Sequence, residues 1–118
     1  MITELLSLQN QIKIWHWQTE NYPLHMATDR THDALLSQID KFVEVFSGKY
    51  GHINAKEYNI VLTGLPSNEG ILEYVDGKIE YLVKDLPKIL KNTDTDLLNL
   101  RDEMLATLNQ FKYLLSLK

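Results

Sequence analysis

The spacing of apolar residues follows the helical period through most of this chain. In four segments they recur three or four positions apart, which predicts amphipathic α-helices that each bury one face. We predict helices over about 3–20, 24–46, 69–90 and 95–117. The predicted core faces, in chain order, are Leu5, Leu8, Ile12 and Trp15; Leu35, Ile39, Phe42 and Phe46; Ile71, Val75, Leu82, Leu86 and Ile89; and Leu97, Met104, Leu108, Phe111 and Leu115.

Proline and glycine mark the ends of these helices. Pro23 follows the first helix, Gly48 is expected to close the second, and Pro87 should kink the third or split off its last turn. The connection over 49–68 is too long to be structureless, and Asn54 is a candidate cap for a short helix over about 55–62.

These elements predict an all-α, ferritin-like four-helix bundle with a short extra helix in its long connection. Residues 1–118 form one domain of this kind. The short first and third connections predict antiparallel hairpins, and the long middle connection permits a crossover.

Composition limits the classes of function. The sequence is 44% apolar, has no cysteine and carries a net charge of −4, with neither terminus basic. Disulfides and thiolate metal sites are therefore excluded, and we expect no DNA binding by this chain. We also expect a cytoplasmic protein, since no apolar run approaches the length of a membrane span and no secretory leader is recognisable.

The sequence lacks the motifs that mark several kinds of site. The sequence has no phosphate-binding loop, no nucleophile elbow and no paired-histidine zinc motif. Bundles with an internal di-iron site carry Glu-x-x-His on two helices. No glutamate here has a histidine three residues later. A metal site inside a single bundle is therefore disfavoured.

Five residues with metal-binding side chains nevertheless share one stretch at helical spacings. They are His16, His25, Asp29, Asp40 and Glu44. With His25 at zero on the second helix, the other three ligands of that helix lie within about 100°, off the core face. The ordinary interpretation of such a stripe is a solvated acidic face.

The stripe consists of two pairs that one chain cannot bring together. Asp29 and Asp40 are eleven residues apart, or roughly 16 Å of helix rise. A two-fold axis near the middle of this helix would set His25 and Asp29 of one copy beside Asp40 and Glu44 of another, with two equivalent sites per dimer. Leu36 and Val43 on the same stripe favour an interface there. Imidazoles and carboxylates suit iron, manganese or zinc.

This pattern resembles the Dps-like miniferritins of the ferritin-like superfamily. The family mark is a His-Trp near the end of the first helix, matched by His16-Trp17. A histidine and an aspartate four residues later open the second helix, as His25 and Asp29 do, and the spacing to Asp40 and Glu44 also matches. Gln18 stands where the family usually has asparagine, the first connection is shorter than usual, and the family's basic N-terminal tail is missing.

The resemblance implies an iron-binding ferroxidase active against oxidative stress. In this family Fe(II) is oxidised by O2 or H2O2 at mononuclear or di-iron centres between two-fold-related subunits. It implies a homodimer or larger homo-oligomer, up to a dodecamer, and small ferritin-like proteins of phage and viruses are similar. Zinc or manganese are the alternative metals.

Other residues near the stretch have more than one interpretation. Trp15 and Trp17 cannot both face the core, so one should pack inside while the other, for which Trp17 is our candidate, lines the site as an electron donor. His32 is an extra ligand or an interface residue. The alternative to the whole hypothesis is a non-catalytic helical oligomer, viral or regulatory, that keeps the fold with at most a structural metal.

Overall fold

The computed structural model describes residues 1–117 and is built from helices. Its four main helices are α1 (Ile2–Gln18), α2 (Tyr22–Tyr50), α3 (Asn68–Glu80) and α4 (Thr95–Ser116). A π-helical turn at Tyr81–Asp85 and a 3-10 turn at Leu86–Ile89 follow α3 directly. The described residues contain no β-strand. The predicted all-α class is therefore confirmed.

One hydrophobic core lies between the four helices. All four predicted core residues of α1 are buried, and most of those of the other helices are buried as well. Phe46 and Leu115 pack at its edge. Ile89 is 49% exposed, so its assignment to the core was wrong. The chain tightens into a 3-10 turn at Pro87, which changes the angular period and rotates Ile89 outward.

Side-chain contacts define the directions of the helices. Near the start of α2, His16 contacts His25, whereas the first turns of α1 lie against 36–43 of α2. The α2–α4 pair is likewise antiparallel, because Gln38 bonds Thr107 while Lys49 reaches Asp94. Contacts from Lys112 to Asp76 and from Arg101 to Leu82 set α3 antiparallel to α4. The predicted hairpins are confirmed, and α2 and α3 run in the same direction.

The second helix ends later than its sequence predicted. Asn21 caps its start by accepting a hydrogen bond from the Leu24 amide at 3.0 Å, and Pro23 sits in the first turn. At the other end Gly48 is helical, and Gly51, with φ of +94°, closes the helix. The extra turn is anchored because Lys49 and Tyr50 both bond Asp94 at the start of α4.

The short helix predicted over 55–62 is wrong. Residues 51–67 form an irregular connection that runs along α1. The Gln11 amide bonds both the N–H and the carbonyl of Thr63 at 2.8 Å, the Trp15 indole donates to Gly64, and Gln18 accepts from the Leu65 amide. These tertiary hydrogen bonds engage the backbone groups of residues 63–65 and hold the irregular segment against α1.

The prediction for the third helix is confirmed in its main feature. The regular helix ends at Glu80, and Pro87 lies in a separate 3-10 turn, so the last part is split off as expected.

Among residues 1–117, no helix combines the length and apolar character required to cross a membrane.

Candidate metal centre

His16 and His25 brace each other across the turn between α1 and α2. The Nδ1 atom of His16 lies 2.9 Å from the carbonyl oxygen of His25, and the Nδ1 atom of His25 lies 3.1 Å from the carbonyl oxygen of His16. The two rings stack with centroids 3.9 Å apart. The short connection makes this possible, because it sets the last turn of α1 against the first turns of α2.

These contacts assign the tautomer of both rings. A carbonyl oxygen can only accept, so each Nδ1 must carry the proton that it donates. In the neutral rings, each Nε2 then keeps its lone pair. Metal-binding histidines are commonly oriented in this way, with one ring nitrogen donating to a fixed carbonyl and the other free for the ion.

Thr28 and Asp29 lie beside the His16 ring. The Thr28 hydroxyl lies 3.2 Å from His16 Nδ1, and it bonds the Leu24 and His25 carbonyls at 2.8 and 3.0 Å. Asp29 Oδ1 lies 3.8 Å from His16 Nε2, the nitrogen with the free lone pair. Sequence reasoning missed Thr28, although its position one helical turn after His25 was a usable signal. His16, His25, Thr28 and Asp29 are called the histidine half below.

Asp40 and Glu44 form the second half, called the acidic half below. Both are exposed on α2. A side-chain hydrogen bond to Asp40, together with the Asp40 charge, raises the pKa of the Glu44 carboxyl. Among residues 1–117, neither carboxylate pairs with a lysine, arginine or histidine. Two adjacent acids without a cation repel each other, and a bound cation would relieve that repulsion.

The two halves lie apart on the same continuous helix. Asp29 and Asp40 are eleven residues apart within α2. In the part of the chain that the structure describes, no three histidine or acidic side chains form a group that could hold a metal ion. Within residues 1–117 the five predicted ligands are therefore not gathered into one site, and they lie as two separate groups on the same face of the molecule's second helix and its neighbouring turn.

Two further candidates lie beside the histidine half. His32 is 8% exposed, and its Nδ1 has no hydrogen-bond partner within 1–117. Burial, with a smaller effect from Lys13, lowers the pKa of the His32 imidazole.

Trp15 packs inside the core while Trp17 is 67% exposed with the Lys13 ammonium 5.3 Å above its ring. One tryptophan is inside and one outside, as the sequence predicted, and Trp17 is the solvent-facing one.

An apolar groove runs from α1 to the middle of α2. Its volume is about 480 Å³, and Asp40 of the acidic half lies on its wall. Leu36, which the sequence placed on the predicted interface, is 46% exposed within it. The other apolar side chains that line it are Ile2, Leu5, Leu6, Ile39, Val43 and Ile53.

Comparison with known proteins places the chain in a family. A family model described as "Family of unknown function (DUF5856)" matches residues 16–115, a range that contains all five candidate ligands. Comparisons with curated proteins and with solved structures found no match. Since the family model covers most of the sequence, the chain belongs to the DUF5856 family.

Proposed function

We propose that this protein is an oligomeric, Dps-like iron-binding protein that oxidises Fe(II) with O2 or H2O2 at sites between two copies. The main observation in its favour is that His16 and His25 each direct Nδ1 to the backbone carbonyl of the other. Two imidazoles with free Nε2 lone pairs, beside an aspartate, would supply one half of a metal site whose ligands are already oriented by the single chain.

The arrangement of helices supports a ferritin-like topology. Because α1 and α4 run one way and α2 and α3 the other, the connection over 51–67 must return along the length of the molecule. Its contacts with Gln11, Trp15 and Gln18 follow that path. A two-hairpin arrangement with a long crossover between them is the topology expected of ferritin-like bundles.

An antiparallel contact between two α2 helices would complete each site. When the two-fold axis passes between Ala34 and Leu35, His25 lies opposite Glu44 of the second copy and Asp29 lies opposite its Asp40. The apolar groove beside Leu36 supplies surface for such a contact. Two aspartates and a glutamate then meet, and a divalent cation between them offsets their repulsion.

Each group has a definite role in this proposal. Fe(II) is the substrate: two Fe(II) ions each give up one electron, and the two electrons, with two protons from solvent, reduce O2 to H2O2 or H2O2 to water. The Nε2 atoms of His16 and His25 bind and orient the metal, while the carboxylates bind it, bridge two ions and stabilise the ferric product. Trp17 is the candidate electron donor at the rim.

The decisive experiment is Fe(II) oxidation in air, followed by ferric absorbance. We expect oxidation above the protein-free rate, and its loss when Asp40→Ala is combined with Glu44→Ala. The control combines Glu69→Ala with Glu73→Ala, an exposed pair at the same spacing on α3, and should oxidise normally.

Other results would favour the alternatives. Zinc or manganese bound without iron oxidation would indicate a structural metal site in the same place. Negligible metal content, with a dimer unaffected by chelators, would indicate a non-catalytic helical oligomer that uses the apolar groove alone.

A further inference from the structure

Two large apolar side chains stand exposed at the start of α2, next to His25. Tyr22 is 70% exposed and Met26 is 47% exposed. They are four residues apart, so they lie one above the other on the same helical face. Because they lie on one face beside a candidate site, this surface is a candidate for contact with a second copy.

A cavity lies at the other end of the same helix, beside the acidic half. Its volume is about 460 Å³, and its lining residues are Val43, Glu44, Ser47, Gly48 and His52. Gly51, with φ of +94°, turns the chain so that His52 borders this space. A methyl group added at Gly48 would meet nothing within 4 Å. The surface over Gly48 is therefore open.

The pairing that joins the two halves of the metal site also joins these two features. With the two-fold axis between Ala34 and Leu35, Tyr22 faces Ser47 of the second copy and Met26 faces its Val43. All four positions fall within the sector of about 100° that holds the candidate ligands of α2. The ligand positions alone set this register, and it places exposed apolar side chains of one copy against the open surface of the other.

We propose that Tyr22 of a second copy seats in the cavity over Gly48 and positions Glu44 for the metal. This inference rests on the proposed function only through the antiparallel pairing of α2. The aromatic ring covers the open surface, and Met26 packs on Val43 beside it. The phenol hydroxyl donates to the Glu44 carboxylate, and it shields the site from bulk water on that side. Tyr22 is thus a positioning residue contributed across the interface.

The absence of cysteine from the sequence allows a direct test of this register. Chains carrying Tyr22→Cys are mixed with chains carrying Ser47→Cys and oxidised mildly. We expect mixed cross-linked dimers between these two variants, because a disulfide forms only where the Cα atoms approach to about 4.4–6.8 Å. Tyr113→Cys, at a 62% exposed position on α4, is the control and should not cross-link to either. Cross-linking of Tyr22→Cys mainly to itself would overturn the register.

A second test fills the cavity without disturbing the single chain. Gly48→Leu adds a side chain where the chain leaves open space, and Gly77→Leu makes the same change at another open helical position on α3. We expect Gly48→Leu and Tyr22→Ala each to raise the dimer dissociation constant at least about tenfold, by sedimentation, since each removes the seating of both aromatic rings, one from each copy. Gly77→Leu and Tyr113→Ala should leave it unchanged, and circular dichroism should show every variant helical.

Tyr22→Phe separates positioning from packing. It keeps the ring but not the hydroxyl, so we expect the wild-type dimer with a slower iron oxidation rate. If Tyr22→Ala and Gly48→Leu dimerise and oxidise iron as the wild type does, the inference is overturned while the proposed function stands. If cross-linking and cavity filling behave as expected but no variant oxidises iron, the proposed function fails and the pairing remains. A wild-type chain that stays monomeric with and without Fe(II) overturns both.

Discussion

The two halves of the candidate centre are built in opposite ways on one helix. In the histidine half, two helices meet, the rings stack, and each Nδ1 donates to a fixed carbonyl. In the acidic half, two exposed carboxylates from one helix face each other, and their contact raises the pKa of Glu44. The first half is held by the fold of the single chain. The second half has no ion-pair partner among residues 1–117 that would fix its two carboxylates.

This difference has a physical cause. Imidazole is a ligand whose direction and tautomer matter, so fixing it in advance lowers the entropy lost on binding. Carboxylates bind through charge, and their mutual repulsion favours a cation from solution. A site divided in this way across two copies would recruit metal and partner together.

The largest expected effect is on the stability of the chain without metal. His25→Ala removes the stacked ring and the hydrogen bond to the His16 carbonyl, so it should lower the free energy of unfolding by about 1–2 kcal/mol. Asp40→Ala removes only an exposed, repelled carboxylate and should change it by less than about 0.5 kcal/mol. Urea unfolding of the two variants checks this, and equal losses would contradict the comparison.

A smaller effect is expected on metal affinity from a residue that binds no metal. Thr28→Val removes the hydroxyl beside His16 Nδ1 and should weaken anaerobic Fe(II) binding roughly tenfold, as loss of an outer-shell partner does. Thr31→Val is the matched control, because Thr31 is also buried on α2 and, among residues 1–117, its hydroxyl bonds only the Ala27 carbonyl. Calorimetric titration measures the Fe(II) affinity of both variants. An equal loss of affinity in both would contradict a role for the contact between Thr28 and His16.

The smallest expected effect is local and lies beyond the acidic half. Asp94 is buried and accepts hydrogen bonds from the Lys91 amide at 2.8 Å, the Tyr50 hydroxyl and the Lys49 ammonium. The backbone hydrogen bond from Lys91 and then the bond from Tyr50 lower the pKa of Asp94 from 3.8 to about 2. Because the pKa is depressed in the folded chain, its stabilising effect is present above pH 3.8 and is lost as the pH falls towards 2.

Asp94→Asn should abolish that pH-dependent loss of stability, and it should allow the last turn of α2 to open more often. We expect several-fold faster amide hydrogen exchange over 47–50, with unchanged exchange around His25 at the other end of the helix. Faster exchange at both ends would mean that the two halves are not independent.

Parts of the fold followed from local pattern alone. The spacing of apolar residues predicted α1, α2 and α4 and nearly all of their core residues, because a helix that buries one face carries a periodic apolar pattern in its sequence. Pro87 likewise predicted the break after α3, since proline removes a backbone donor wherever it occurs. The spacing of His25, Asp29, Asp40 and Glu44 on one stripe also follows directly from the helical period.

Tertiary structure decided the features that depend on distant partners. Residues 55–62 carry a capping pattern, yet they are irregular, and hydrogen bonds from α1 hold the connection at 63–65. No local sequence signal reveals those bonds. Gly48 looked like a helix end, but Asp94, far along the chain, supplies the anchor that carries α2 on to Tyr50. The sequence by itself determined which side chains share a face. Only the tertiary structure decided that His16 and His25 would each use the other's carbonyl, because that contact depends on how the turn between two helices closes.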